Sequence, residues 1–480
     1  MIRNRKPLAV TPAREVALDC LATGIEAARP ERVVPETMSL EGSTLHVRDA
    51  TYDLDAYDEV VVLGGGKAAA RVALALESLL GGRLTGGIVV TDDPVETARI
   101  TVRKADHPVP SEHGVEAAAE VLARADAAGE RTLVLAVLTG GGSALLPAPV
   151  PAVGLDALQA VTEALLDAGA PIGEINAVRK HCSALKGGRL ARRAAPATVV
   201  ALLFSDVVGD DPSVIASGPT VLDATTYADA LAVLDRYGIE APAVRAHLEA
   251  GAAGEGDETA GHDATPEVDE TPGPDETPGS GETPGSGETP GPDETPGPDE
   301  TPGPDDPVFG TVSTHVLANG WTAIAAARET AREAGYETLV LSSHVEGEAR
   351  EAGRLHAAVA AEAADTGNPV EPPAVVLSGG ECTVTVRGEG TGGPNQEFAL
   401  AGALGLPTEA VLAAVDTDGR DGATDAAGAL VDAGTVDDER GARDALADND
   451  AGTYLAARDA LIQTGPTGTN VNDLRVLVVE

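Results

Sequence analysis

Apolar runs of five to seven residues recur along the first half of the chain: EVVVL at 59–63, GIVVT at 87–91, TLVLAVL at 132–138 and TVVALLF at 198–204. Each is short and rich in β-branched residues, the pattern of a strand buried on both faces. Between them, near 67–80, 113–128, 155–168 and 178–194, alanine and leucine recur at helical spacing. Alternating strand and helix predicts a parallel sheet with helices on both faces. The pattern resumes late in the chain. Helices are expected near 319–335 and 346–364, and strands at 337–341, 411–416 and 475–480. The run AVVLSGGECTVTVRG (374–388) reads as two strands joined hairpin-fashion at Gly379-Gly380. A second α/β domain with a mixed sheet is the simplest account.

Between the two halves the pattern stops. From Glu270 the hexads ETPGPD or ETPGSG repeat six times. Proline removes backbone donors, glycine adds chain entropy and like charges extend the chain, so the segment has nothing to fold around. The expected organisation is an N-terminal α/β domain at 1–249, a disordered acidic insertion at 250–306 and a C-terminal α/β domain at 307–480.

Composition adds two constraints. Apolar residues make up 43% of the 480 positions but aromatics only 2%, so the core must be built of alanine, valine and leucine. The formal net charge is −44; residues 250–306 carry 17 acids and no lysine or arginine, which leaves −27 on the other 423 residues. Such a surface repels nucleic acid and anionic membrane, and neither is an expected partner. It suits a high-salt cytoplasm, where the Debye length shrinks to roughly 3 Å at 1 M. Only five lysines stand against 28 arginines, in keeping with that reading. Cys20, Cys182 and Cys382 lie far apart and predict neither a disulfide framework nor a cysteine zinc site. The start, MIRNRKPLAVTPAREV, is too polar for a signal peptide, and no apolar run approaches the roughly 18 residues of a membrane span. A cytoplasmic protein is expected; the sequence allows a homodimer without requiring one.

Ligands of open α/β sheets bind beyond the carboxyl ends of strands, and several glycine- or acid-rich loops fall there. Gly64, Gly65 and Gly66 precede Lys67 in GGGKAAA; Gly64-x-Gly66-x-x-Ala69 fits the dinucleotide fingerprint, with Asp92 rather far along as the ribose acid. A lysine at a helix N-terminus is disfavoured by the helix dipole unless an anion is present. Lys67 therefore points to a phosphate or carboxylate rather than to a dinucleotide. Thr139, Gly140, Gly141, Gly142 and Ser143 form a second loop able to nest phosphates, though it is not a Walker A motif. Arg179, Lys180, Lys186 and Arg189 concentrate four cations in eleven residues, near an expected helix end at Gly187-Gly188. Asp206 ends a strand where catalytic carboxylates often lie, and Asp210 and Asp211 follow before Pro212. Asp416, Asp418 and Asp421, after VLAAV, could hold a divalent cation but miss the EF-hand spacing. TGPTGTNVNDL (464–474) suits a rigid polar loop.

Taken together, GGGKAAA, DHPVP (106–110), LTGGGSALLP, INAVRKHCSALKGGRLA, SDVVGDDPSVIASGPT, SGGECTVTV, GGPNQEFALA, DTDGRDGATDAAGA and TGPTGTNVNDL resemble the ATP-dependent glycerate 2-kinase family, whose C-terminal part is called the MOFRL domain. The resemblance spans nearly the whole chain outside 250–306. It implies two α/β domains, the first Rossmann-like, with the active site in the cleft between them. It also implies transfer of the ATP γ-phosphoryl to the 2-hydroxyl of D-glycerate. By the same resemblance Lys67, Asp206 and Asp418 carry the chemistry. Asn176, Arg179, Lys180, Lys186, Asn395 and Glu397 join the two glycine loops in binding substrate or nucleotide, and Mg²⁺ falls to Asp206, Asp416 and Asp418. Which carboxylate is base and which is metal ligand stays open. Many relatives carry arginine where this chain has Pro394; that role is vacant here or passes to Arg420 or Arg179. The competing reading is an NAD(P)H-dependent hydroxypyruvate reductase using Gly64-x-Gly66. A third is a binding protein without turnover.

Overall fold

The computed structural model describes residues 1–259, 301–303 and 306–480. Apart from 301–303 the hexad repeats, and with them most of the segment expected to be disordered, lie outside the described residues. At its two ends the segment is ordered. The helix Pro242–Thr259 runs past position 250, and Asp306 accepts a hydrogen bond from the Val308 N–H at 3.0 Å, opening the 3-10 turn Pro307–Thr311.

Strands are numbered along the chain. A small antiparallel meander, β1 (Met38–Glu41), β2 (Thr44–Val47) and β3 (Ala50–Asp53), precedes the main sheets. The first main sheet holds β4 (Glu59–Gly65), β5 (Gly86–Thr91), β6 (Ile100–Lys104), β7 (Thr132–Thr139), β8 (Thr198–Phe204) and β9 (Val312–Ala318). They lie in the order β6-β5-β4-β7-β8-β9, every pair parallel. All eight residues of β7 are buried, as are six of the seven in β4 and in β8, which is why these strands read as unbroken apolar runs. The order reverses between β4 and β7, and ligands of open α/β sheets bind beyond the carboxyl ends of strands at such a switch point. β6, with Thr101, Arg103 and Lys104, and β9, with Ser313, Thr314 and His315, lack the unbroken apolar run that marks the other strands of this sheet. β9 follows the acidic repeats in sequence yet completes the first sheet.

The second main sheet holds β10 (Glu337–Ser342), β12 (Ala374–Gly380), β14 (Ala410–Asp416), β15 (Gly428–Asp432), β16 (Leu461–Ile462) and β17 (Asp473–Val479). The order is β10-β12-β17-β14-β15-β16; β10 and β12 are parallel and the other neighbours antiparallel. The mixed sheet is as expected, but the hairpin at Gly379-Gly380 is not. β12 continues through both glycines and pairs with β17, while β13 (Cys382–Thr383) pairs in parallel with β11 (Gly347–Glu348) in a separate ribbon. Gly379 and Gly380 lie opposite Leu474 and Asp473, so they extend a central strand rather than turn it.

The helix expected near 178–194 is two helices, Ile172–His181 and Arg189–Ala194. Gly188, with φ of 79°, is the N-cap of the second and not the C-cap of the first.

The described residues divide into two compact units. One comprises Met1–Pro149, Ser183–Asp223 and Pro302–Glu480, and so holds both main sheets; the other comprises Val150–Cys182 and Ala224–Thr301. In the first, one apolar cluster runs from Val60, Val62 and Leu133 of the parallel sheet to Val375, Leu474 and Val476 of the mixed sheet. The helix Pro12–Ala27 joins that cluster through Ala17, Leu18 and Leu21. A Cβ on its Gly24 would stand 2.5 Å from Leu474 Cδ2 and 2.9 Å from the Ala323 carbonyl oxygen, so the N-terminal helix packs on C-terminal elements. The second unit has its own core, including Leu158, Val161, Leu165, Tyr227 and Leu234. Cys20, Cys182 and Cys382 are buried and none is in a disulfide. Among the described residues no helix is long and apolar enough to cross a membrane.

Candidate active site

The carboxyl ends of β4 and β7 are where Lys67 meets Asp206 and Asp418. Gly64 and Gly65 end β4; Gly66 and Lys67 form the turn before the helix Ala69–Leu80. The turn is locked to its neighbours. The N–H of Gly66 donates to the Val90 carbonyl at 3.0 Å, that of Lys67 to the Gly140 carbonyl at 2.8 Å and that of Ala68 to Thr139 Oγ1 at 3.1 Å. A Cβ on Gly66, whose φ is 135°, would stand 2.2 Å from Thr139 Oγ1. The glycines thus admit the loop after β7 and leave no room there for a pyrophosphate. The amides of Gly66, Lys67 and Ala68 are already committed. What the turn offers a ligand is the Lys67 side chain.

The second loop is fixed as firmly. Gly141 and Gly142 open the short helix Gly142–Leu145. Ser143 Oγ lies 2.8 Å from Ser217 Oγ, and the buried Lys186 donates from Nζ to the carbonyls of Ser143 at 3.0 Å and Leu146 at 3.3 Å. Lys186 is therefore a support of this loop. Asp206, just past β8, lies against the same loop: a Cβ on Gly140 would be 2.1 Å from Asp206 Oδ2. That oxygen accepts from Asn470 Nδ2 at 3.1 Å, and the carboxylate also takes the Gly141 N–H.

From the other sheet comes the turn after β14. Asp418 Oδ2 is 2.6 Å from Lys67 Nζ, with the side chains 22% (Lys67) and 11% (Asp418) exposed. Its other oxygen accepts the Arg420 N–H at 2.7 Å, while Asp416 Oδ1 accepts the Asp418 N–H at 2.9 Å. Lys67, Asp418, Arg420, Lys104, His107 and Thr469 are among the residues lining one cavity of about 260 Å³. Burial disfavours the Lys67 ammonium, but Asp418, Asp416 and Asp206 outweigh it and hold its pKa above the ordinary value. Burial pushes Asp206 up to about 6 against the opposing pull of Lys67. Burial, with the charges of Asp418 and Asp473, raises Asp416 well above a normal carboxyl.

Other expected site residues have different places. Asn176, Arg179 and Lys180 lie on Ile172–His181 in the second unit, and burial lowers the Arg179 pKa. Asn395 and Glu397 lie on the buried helix Pro394–Ala403 and serve its packing. Asn395 Nδ2 donates to Asp473 Oδ1 at 2.7 Å, and Glu397 pairs with Arg350 at 2.7 Å and accepts from Asn449 at 3.2 Å. Asp421 caps that helix, taking the N–H groups of Asn395 at 2.9 Å and Gln396 at 2.8 Å, and so is not free to bind a cation. Proline at the first helical position is well placed, since its missing N–H has no intrahelical partner to lose. The three-carboxylate metal set of Asp206, Asp416 and Asp418 is not assembled: among the described residues no three acidic, histidine or cysteine side chains cluster so as to hold an ion. Asp418 is occupied by Lys67, Asp416 by the turn's own backbone and Asp206 by Asn470 and Gly141.

The chain matches a domain of unknown function (DUF4147) over residues 16–249 and the MOFRL family over residues 374–473. A D-glycerate 2-kinase from Thermotoga maritima is 36% identical over 474 residues, spanning 96% of this chain and 97% of the relative. The chain belongs to the glycerate 2-kinase family. A crystal structure titled as glycerate kinase, also from Thermotoga maritima, superimposes with a TM-score of 0.75 at 35% identity, covering 97% of this chain and 99% of that one. Another relative, from Agrobacterium vitis, bears the provisional name hydroxypyruvate reductase; it is 41% identical over 432 residues, 87% of either chain.

In this member of the glycerate 2-kinase family the site draws on residues that the sequence offered only inside motifs. His107, from DHPVP, lines the cavity, and burial together with the Lys67 charge lowers its pKa to about 4, so its imidazole is neutral at pH 7. Asn470, from TGPTGTNVNDL, orients Asp206. Asp92 lines the same cavity, with its pKa raised by burial. Spacing marks neither His107 nor Asn470, and it offers Asp92 as a ribose acid rather than as a neighbour of Lys67.

Proposed function

We propose that this protein is an ATP-dependent glycerate 2-kinase, transferring the ATP γ-phosphoryl to the 2-hydroxyl of D-glycerate to give 2-phosphoglycerate and ADP. The observation that carries the reading is the meeting of Lys67 with Asp418 and Asp206 at one crevice, in a chain whose relatives over nearly its full length are glycerate 2-kinases.

Phosphoryl transfer needs in-line positioning and cancellation of charge on the transferring group. Lys67 supplies a fixed positive charge for the equatorial oxygens, and its polar setting is arranged before substrate arrives. Asp206 is suited to accept the 2-hydroxyl proton: with a pKa of about 6 it is ionised at pH 7 yet basic enough to take a proton in the transition state. Asn470 fixes its orientation. Residues 139–143, tied down by Lys186, lie beside this base and are assigned to the nucleotide phosphates. Asp418 is engaged by Lys67 and Asp416 by the Asp418 N–H, so Mg²⁺ would be held chiefly by the nucleotide phosphates with which it arrives. When bound, it would neutralise charge on the phosphates.

The reductase reading loses support at Gly66, where the amides that a dinucleotide pyrophosphate would use bond to Val90, Gly140 and Thr139 and Thr139 fills the space beside the turn. The deciding experiment is a coupled ADP assay with D-glycerate and Mg²⁺, run beside an NADH assay with hydroxypyruvate on the same preparation. Product analysis separates 2- from 3-phosphoglycerate. Glycerate-dependent ADP release with a 2-phosphorylated product supports the kinase; NADH oxidation without ATP would replace it.

A further inference from the structure

Resting on that reading, we propose that Arg420 is the residue that recognises the carboxylate of the hydroxy-acid substrate. The centre of the site is acidic: one ammonium, Lys67, faces Asp418, Asp416 and Asp206. A substrate carboxylate brought to that centre meets more negative than positive charge and needs a cation of its own. Most charged groups in the cavity wall are already engaged. Asp418 is held by Lys67, Asp93 lies 3.7 Å from Arg71, and Asp106 lies 3.7 Å from His113. Arg420 lines the same cavity, and among the described residues its guanidinium has no hydrogen-bond or ion-pair partner.

Its root is nevertheless held. The Arg420 N–H donates to the same carboxylate that grips Lys67 Nζ, at 2.7 Å, so the two cations are referenced to one aspartate. The turn is pinned from behind, since a Cβ on Gly419 would stand 2.2 Å from the Gly465 carbonyl oxygen. A 2-hydroxy acid carries its carboxylate on the carbon that bears the reacting hydroxyl. The site must therefore offer a carboxylate receptor within one small cavity of the phosphoryl-binding lysine. A planar guanidinium can meet a carboxylate with two parallel hydrogen bonds, which a lysine cannot. Lys104, at the end of β6 and also in the cavity wall, supplies longer-range attraction without that geometry.

The test is Arg420→Ala and Arg420→Lys in the full chain, with KM for D-glycerate and for ATP measured separately from kcat, and D-glycerate-induced thermal stabilisation measured without nucleotide. Arg420→Ala should raise KM for D-glycerate at least tenfold while leaving KM for ATP and kcat within about threefold, and it should lose the D-glycerate thermal shift; Arg420→Lys should fall between. Glycerol, which lacks the carboxylate, should shift neither protein. An unchanged KM for D-glycerate overturns the assignment, as does a rise confined to KM for ATP. If the wild type turns over no glycerate, the kinase reading fails by itself. The thermal shift still decides this proposal, supporting it if Arg420→Ala abolishes a wild-type shift and overturning it if the shift is retained or absent from both.

Discussion

Lys67 and Asp418 are 351 positions apart in sequence and 2.6 Å apart in the fold, one on the turn that leaves the parallel sheet and the other on the turn that leaves the mixed sheet. Asp418 orients the amine, and in the absence of substrate it also keeps the charge of Lys67 compensated.

Lys67→Ala should lower kcat/KM by about 10²-fold or more, the scale of a lost charge-stabilising group. Circular dichroism should show a folded protein, because the side chain lies at the cavity wall. Near-wild-type kinetics would remove Lys67 from the mechanism.

Asp206 predicts opposite effects on activity and stability. Its folded-state pKa of about 6 lies above the ordinary 3.8, so between those values the folded protein retains a proton that the unfolded chain has released. Its contribution to stability therefore falls as pH rises from about 4 to about 6 and stays lost above. Activity runs the other way: kcat/KM should rise with pH through about 6 as the base ionises. Asp206→Asn should lose that limb and about 10²-fold or more in kcat, while unfolding at higher urea than the wild type at pH 7. A variant that keeps the limb would show that another group is the base.

Lys186 tests the loop. Lys186→Met removes a buried charged donor from the Ser143 and Leu146 carbonyls, which should destabilise by roughly 2–3 kcal/mol in urea unfolding. If residues 139–143 hold the nucleotide, KM for ATP should rise severalfold as well. A stability loss with unchanged KM for ATP would separate the loop from the nucleotide.

Asp421→Ala removes the cap of the buried helix Pro394–Ala403. The expected loss is about 2 kcal/mol, at the upper end for a helix cap because the freed amides are buried. Equilibrium unfolding at fixed pH measures it, and a change within 0.5 kcal/mol, roughly the surface-substitution range, contradicts the capping role.

With a net charge of −44, the folded chain should lose stability as salt is lowered, because compaction concentrates like charge that salt would screen. Thermal unfolding across a KCl series measures this. A transition midpoint independent of salt would show that ion pairing on the surface already balances the repulsion.

The sequence by itself determined the strands that are buried on both faces. β4, β7 and β8 could be read directly because every position in such a strand sees the core, so the apolar run carries the whole signal. It also marked Lys67, Asp206 and Asp418, since glycine turns and carboxylates at strand ends leave local patterns. Half-exposed strands such as β6 and β9 carry no unbroken run and were missed. Only the tertiary structure decided what the marked residues do. Gly66 N–H could serve a ligand or the Val90 carbonyl, Lys186 could bind phosphate or brace Ser143, and Asp421 could hold a cation or cap a helix. Each choice depends on a partner brought close by sheet order and packing rather than by sequence spacing.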